Sequence, residues 1–392
     1  MTPPTVSDTS TTAAGTDLVG RGGWVLAAVG AAAALVALGL SPPTTGSAAS
    51  HVWAPFVLVA GLILVGLVAE EDGLFAAAGH LLARLAPTGA SLFASAAVLV
   101  AVVTAVLNLD TSVVFLTPVV AHAARRRGYD EAPFLYGCLL LSNAASLPLP
   151  GSNLTNLIVA GHLHVSGATF FRAMAPSWVV AVLVTALVVG VMERRSLRRR
   201  GGPPAVVAGP TWGLGLGAMV AVTVLVVVLR SPALPVAAVG AAAAGIRLVT
   251  GRAQRGQVTG VLGLPVLAGL FGVAVALGAL GRTWSGPATV LAHLDSWGTA
   301  ALAAATSVLV NNLPAASLLA SRMPPRPYAL LVGLDIGPNL FVTGSLAWIL
   351  WLRAAHGAGA RPSVARAALL GALSVPLSMA AAVGMLGLVG SR

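Results

Sequence analysis

Of the 392 residues, 57% are hydrophobic and only 8% are charged, with 22 basic side chains, all arginines, against 11 carboxylates. Ordinary globular domains carry about 25% charged residues. The composition therefore excludes a cytosolic enzyme, a nucleic-acid binder and a disordered chain, and leaves a polytopic membrane protein with spans of roughly 20 apolar residues. The net charge of +11 sits mostly in short loops between apolar runs, where it sets topology.

Residues 1–22, rich in Ser and Thr, are expected as a disordered tail. Arg21, the apolar run 24–40 and the following TTGSAAS imitate a secretory signal, but the topology below needs this helix. Spanning runs are predicted at 24–40, 52–69, 168–192, 211–229, 232–249, 258–281 and 364–390. Between the second and third, 73–88 carries His80 and Arg84 and reads as an interfacial helix. Residues 90–124 form two apolar arms around Asn108-Leu109-Asp110-Thr111, a re-entrant hairpin whose polar tip is tolerated only where protein or a water-filled cavity satisfies it. Residues 134–163 centre on SNAASLPLPGSNLTNL, whose prolines, glycine and polar side chains unwind a helix into two halves.

The C-terminal half repeats this order. Residues 285–297 read as interfacial, 298–321 as a hairpin around Asn311-Asn312-Leu313-Pro314, 328–356 as a helix broken by GLDIGPNLFVTGS, and 364–390 as the last span. The chain thus divides into the tail, a first transporter repeat (23–200), a linker with one span (201–230) and a second repeat (231–392). A single linking span inverts the second half relative to the first. The expected fold is an all-α polytopic membrane protein of inverted-topology repeats, each with a re-entrant hairpin and a broken helix, as in many secondary transporters. Arginine clusters at 125–127, 194–200, 247–255 and 353–366 are all placed in the cytoplasm by the positive-inside rule, with the N-terminus inside and the C-terminus outside.

Of the carboxylates, only Asp110 and Asp335 fall at membrane depth. Placing a carboxylate there costs at least ~2.5–3.5 kcal/mol on insertion scales and usually marks a pathway or relay, although either could also cap a half-helix. Both are candidate proton-coupling residues. Asp110 is expected as the main proton site, because a hairpin tip is wetted from either side as the halves rock, with Asp335 tuning or capping. Amides and hydroxyls gather in the same breaks, Asn143, Ser146 and Asn156 among them. Asn108, Thr111, Ser152, Asn153, Thr155, Asn311, Asn312, Asn339, Thr343 and Ser345 are the candidate substrate-binding residues. Half-helix ends add unpaired N–H and C=O groups. His162 and His164 follow the first break and are a lesser candidate for proton relay. The single Cys138 excludes a thiolate metal cage and reads as a buried hydrophobe. No phosphate-binding GxxxxGK loop and no nucleophile paired with a base occur, so no catalytic residue, metal or cofactor is assigned.

The segments NLDTSVVFLTP (108–118), SNAASLPLPGSNLTNLIVAGHL (142–163), NNLPAASLL (311–319) and GLDIGPNLFVTGSLAWILWLR (333–353) resemble the arsenical-pump membrane proteins, bacterial arsenite and antimonite efflux permeases of the ion-transporter superfamily. The resemblance implies a multi-pass protein of the bacterial cytoplasmic membrane that exports trivalent arsenite or antimonite in exchange for protons, with sodium a less favoured coupling ion. In some members it also implies association with a cytosolic pump ATPase. At Gly337-Pro338-Asn339-Leu340-Phe341 relatives often carry a Lys that this chain lacks. Trihydroxy-arsenic is small, neutral near pH 7 and rich in hydroxyls, which suits amides and hydroxyls. An ion-coupled carrier of small carboxylates or another oxyanion is the alternative, but carboxylates favour cations and no arginine falls in the four breaks.

Overall fold

The computed structural model describes residues 10–163, 165–198, 213–229 and 231–390, and among these every regular element is helical. The first half comprises α1 (Ser10–Leu40), α2 (Pro42–Glu71), α3 (Leu74–Leu85), the hairpin α4 (Gly89–Val106) and α5 (Leu109–Arg126), the broken pair α6 (Ala132–Ala144) and α7 (Leu154–Leu163), and α8 (Gly167–Met192). The short α9 (Arg194–Leu197) and the linking α10 (Leu214–Val228) follow. The second half comprises α11 (Ala233–Val249), α12 (Arg255–Leu262), α13 (Leu264–Thr283), α14 (Gly286–His293), the hairpin α15 (Ser296–Val310) and α16 (Asn312–Leu319), the broken pair α17 (Pro327–Ile336) and α18 (Leu346–Gly357), and α19 (Val364–Val389). One-turn 3-10 segments, Pro150–Ser152 and Gly337–Leu340, occupy the two breaks.

The order of elements therefore repeats, and so do their packing partners. Helix α1 lies on α13 as α11 lies on α2, and α8 pairs with α19, its own counterpart. Glycines make the first two crossings close. A Cβ on Gly61 of α2 would fall 2.7 Å from the Ala237 Cα, and one on Gly240 of α11 would overlap the Gly61 backbone. Gly30 of α1 meets Gly269 and Gly272 of α13 in the same way. In lipid, where apolar burial drives little association, backbone approach of this kind holds helices together. Six helices among the described residues are long and apolar enough to cross a membrane. Leu183 and Leu187 of α8, Val220 and Val224 of α10 and Leu373 and Leu377 of α19 stand exposed on the outer surface, as a lipid-facing surface requires and a water-facing one does not.

Several boundaries differ from those expected. Helix α1 begins at Ser10, inside the stretch 1–22 expected to be a disordered tail; residues 1–9 lie outside the described residues. Helix α2 begins at Pro42 rather than 52, because proline suits the first helical turn and Thr44 and Thr45 donate back to the Ser41 carbonyl. The run 258–281 is divided at Gly263, whose φ of 54° ends α12 in the left-handed conformation before Pro265 starts α13. Asp295 is not part of the interfacial α14; its carboxylate caps α15 through the Gly298 N–H at 2.7 Å.

Candidate functional site

Helices α6 and α17 run about 20 and 15 Å at 1.5 Å per residue before they break, so each ends near the middle of a ~30 Å hydrocarbon core. The prolines that follow account for the breaks. Pro150 opens one 3-10 turn and Pro338 is the second residue of the other, and the chain is then extended at Asn153 and Ser345, which precede α7 and α18. Asn156 closes the first break by donating to the carbonyls of Ser146 (2.7 Å) and Leu149 (3.0 Å).

The two breaks are joined to each other by reciprocal hydrogen bonds. Asp335 stands one residue before the end of α17, fully buried, and its Oδ1 accepts from Thr155 Oγ1 at 2.5 Å and Asn153 Nδ2 at 3.1 Å, at the start of α7. Asn143 stands one residue before the end of α6, also fully buried, and its Oδ1 accepts from Ser345 Oγ at 3.4 Å, at the start of α18. Each broken helix thus offers an acceptor from its first half to the second half of the other. The acceptor is a carboxyl in one repeat and an amide in the other. Ser146 supports this centre by accepting from Asn153 Nδ2 (3.1 Å) while donating to the Asn143 carbonyl (2.8 Å). Asn339 Nδ2 donates to the Leu140 carbonyl (2.9 Å), and the buried Trp351 of α18 donates to the Leu135 carbonyl (2.9 Å), so α6 is tied to both the second break and the half-helix that follows it.

A second symmetric pair fixes each hairpin to its own break. Ser152 Oγ donates to the Ala105 carbonyl (2.9 Å) and Thr343 Oγ1 to the Val308 carbonyl (2.6 Å), in each case three residues before the hairpin-tip asparagine, Asn108 or Asn311. Those asparagines cap the outgoing arms. Asn108 Oδ1 accepts from the Thr111 N–H at 2.6 Å, and Asn311 Oδ1 from the Leu313 N–H at 3.4 Å. Asn311 holds φ 74° and ψ 148°, a positive-φ extended conformation that side chains other than glycine rarely adopt, so the second tip is strained. The Asn312 N–H donates to the Gly344 carbonyl at 2.8 Å.

The residues singled out from the sequence therefore fall into groups. Asn153, Thr155, Ser345 and Asp335 meet at the centre, with Asn339 beside them. Asn108 and Thr111 lie at the first hairpin tip, with Ser152 linking that tip to the first break. Asn311, Asn312 and Thr343 lie at the second tip, where Thr343 is exposed. Asp110, in the first turn of α5, is half-buried and makes no hydrogen bond or ion pair with the described residues. His162 stacks on His51 with ring centroids 5.4 Å apart, while His164 lies outside the described residues. Asn143 and Ser146, part of the polar cluster read from the sequence but not of the assigned site, belong to the centre. Asn143 carries the one signal that would have found it, its place one residue from the end of a half-helix, matching Asp335.

Among the described residues, several buried polar atoms have no partner within the protein: Asp335 Oδ2, Asn156 Oδ1 and Asn339 Oδ1 near the centre, and Asn108 Nδ2, Thr111 Oγ1 and Thr104 Oγ1 near the first tip. Such atoms are few in native proteins and call for a partner. Here they comprise acceptors and donors, and among the described residues no cationic side chain pairs with Asp335. Near the centre these atoms are acceptors, and at the first tip they are an amide donor and two hydroxyls.

Comparison with known proteins agrees with this architecture. A family profile described as "Citrate transporter" (CitMHS) matches residues 21–333. The chain is 27% identical to the arsenical pump membrane protein of Escherichia coli strain K12, over 84% of this chain and 85% of that protein. It is 28% identical to the silicon efflux transporter LSI3 of Oryza sativa subsp. japonica, over 36% of this chain and 29% of that protein. Its fold is similar to that of the crystallised Alcanivorax borkumensis YdaH transporter, of unusual topology, with a TM-score of 0.54 and 16% identity over 88% of this chain and 87% of that one. On the breadth of the profile match, the chain belongs to the CitMHS family, and with its relatives and apolar helices it is a multi-pass membrane transporter rather than an enzyme.

Proposed function

We propose that the chain is a secondary transporter that exports arsenite or antimonite across the bacterial cytoplasmic membrane by proton antiport. The observation that carries this reading is the unequal reciprocal cross-link, in which Asp335 and Asn143 hold equivalent positions and only one of them can gain or lose a proton. A protonated Asp335 is the chemical counterpart of the Asn143 amide, and the two halves then match. A deprotonated Asp335 places a charge in a fully buried site that, among the described residues, gives it side-chain donors but no ion pair, and an unpaired buried charge costs several kcal/mol. Water entering as the halves rock apart offsets that cost. Proton release and opening are thereby linked, and Asp335 rather than Asp110 is the main coupling residue, because Asp110 touches neither break by hydrogen bond.

The solute follows from the same groups. Asn153, Thr155, Ser345 and Asn339, with Asn108 and Thr111 at the first tip, offer amide and hydroxyl partners to arsenic or antimony trihydroxide. The names of two relatives, an arsenical pump and a silicon efflux transporter, point to elements whose hydroxides are small, hydroxyl-rich and uncharged near neutral pH. The family description favours a second reading, an ion-coupled carrier of small carboxylates. Uptake of arsenite, antimonite and succinate into inside-out vesicles, under imposed proton or sodium gradients, separates the two. Arsenite uptake driven by an acidic interior supports proton antiport. Sodium-driven succinate uptake without arsenite transport replaces it with the carboxylate reading.

A further inference from the structure

Helices α8 and α19 pack antiparallel and in register. Ser177 donates to the Ala382 carbonyl at one level, and Arg366 pairs with Glu193 sixteen residues away on each helix (193 − 177 and 382 − 366). At the Glu193 end a pocket of about 360 Å³ opens between the end of α8, α9 and the start of α19. Its polar wall carries Arg194, Arg195, Ser196 and Arg366, and its apolar wall Val191 and Met192, both exposed. Glu193 is committed to Arg366, with Nε and Nη2 each at 2.8 Å. Arg194 and Arg195 form no ion pair among the described residues. The lining side chains sum to +2 (three arginines less Glu193), or +1 if Asp130, which accepts from Ser196 Oγ at 2.8 Å, is included.

Beneath the pocket the two helices present apolar ridges at matching depths. Val191, Leu187 and Leu183 stand level with Leu369, Leu373 and Leu377, at four-residue spacing on each helix, and all six are exposed. A cationic pocket of ligand-binding size at one end, continuous with apolar ridges on a spanning helix pair, has the polarity of an amphiphile with an anionic head. Arginine in loops needs only proximity to the membrane to set topology; the pocket and the unpaired guanidiniums are additional to that role.

We propose that this pocket binds the phosphodiester headgroup of an anionic phospholipid, with Arg194 and Arg195 as the headgroup ligands and the ridges of α8 and α19 against the acyl chains. The site is separate from the broken-helix centre and does not depend on the identity of the transported solute. The full chain, purified in micelles containing equal phosphatidylglycerol and phosphatidylcholine, is examined by native mass spectrometry for retained lipid. Phosphatidylglycerol is expected to be retained in preference. Each arginine beside an anionic surface strengthens binding by about fivefold, so Arg194→Gln/Arg195→Gln lowers that retention by about 25-fold. Both side chains are exposed, and monodispersity of the variant confirms that it folds. Arg252→Gln/Arg255→Gln, at another exposed basic cluster, leaves retention within about twofold if binding is local rather than diffuse. Equal retention of the two lipids by the wild-type protein overturns the proposal, as does an equal loss in the control pair. Displacement of the lipid by excess inorganic phosphate overturns it in favour of a free-anion site.

Discussion

Replacing Thr155 with valine removes one hydroxyl from the centre and keeps nearly the same shape. That hydroxyl donates to Asp335 Oδ1 at 2.5 Å; after its loss Asn153 Nδ2 still donates to that oxygen, and among the described residues Oδ2 has no hydrogen-bond partner. The magnitude depends on the charge of Asp335. A hydrogen bond to a neutral carboxyl is worth about 0.5–1.5 kcal/mol and one to a carboxylate about 1.5–3 kcal/mol. The stability lost in Thr155→Val therefore grows as pH rises and Asp335 gives up its proton. With Asp335 ionised it reaches a factor of roughly 10–150 in the unfolding equilibrium. Reversible unfolding of both proteins in mixed micelles across a pH series measures this directly. The same substitution made beside Asp335→Asn supplies the control, because an amide oxygen accepts the bond at every pH and the cost then stays flat. A pH-independent loss in the wild-type background, or the same pH step in the Asp335→Asn background, refutes the assignment of Asp335 as the titrating member of the cross-link.

Other substitutions test the surrounding structure. Asn153→Ala removes bonds to both Ser146 and Asp335 and is expected to weaken apparent arsenite affinity about threefold to tenfold. Ser345→Ala, which loses a longer 3.4 Å contact to Asn143, should have a smaller effect in the same vesicle assay. Gly61→Leu or Gly240→Leu forces α2 and α11 apart and should cost at least about 1–3 kcal/mol, seen as loss of the monodisperse protein on size exclusion. Outside the spans, His80 on α3 has its pKa lowered by burial and then by Arg126 and Arg84, so its folded form resists protonation. The stability it contributes is present above the ordinary pKa of 6.5 and is lost as pH falls below it, and His80→Gln should remove that part of the acid sensitivity. With Cys138→Ser as background, cysteine at Arg198 should resist external labelling and cysteine at Arg322 should accept it.

The repeat was legible because two kinds of local signal recur in order: apolar runs of spanning length, and asparagine- and proline-rich interruptions within them. Proline beside glycine among polar side chains, at Pro150-Gly151 and Gly337-Pro338, marks both breaks in the sequence, whereas Pro55, Pro118, Pro176 and Pro376, each in an apolar run, lie inside intact helices. The helix starts were less legible. Pro42-Pro43-Thr44-Thr45 has the composition of a loop, yet prolines in the first turn and threonines bonded back to Ser41 permit helix there. The different surroundings of the two aspartates were beyond local signals altogether. Asp110 stands at a hairpin tip that looks accessible, but Asn108 takes the capping role beside it. Asp335 gains its place through Asn153 and Thr155, some 180 residues away in sequence. Partners that distant leave no periodicity in the chain. They emerge only when the two broken helices are packed against each other, as does the equivalence of Asp335 and Asn143.

In the proposed mechanism Asp335 is the group that couples proton movement to transport. In proteoliposomes loaded at acid pH, wild-type protein should accumulate arsenite when diluted into neutral buffer, and the Asp335→Asn protein should accumulate none while still exchanging arsenite down its own gradient. Asp110→Asn should retain both activities. Accumulation at the wild-type rate by Asp335→Asn, with loss of it in Asp110→Asn, would contradict the account and return the coupling role to the hairpin tip.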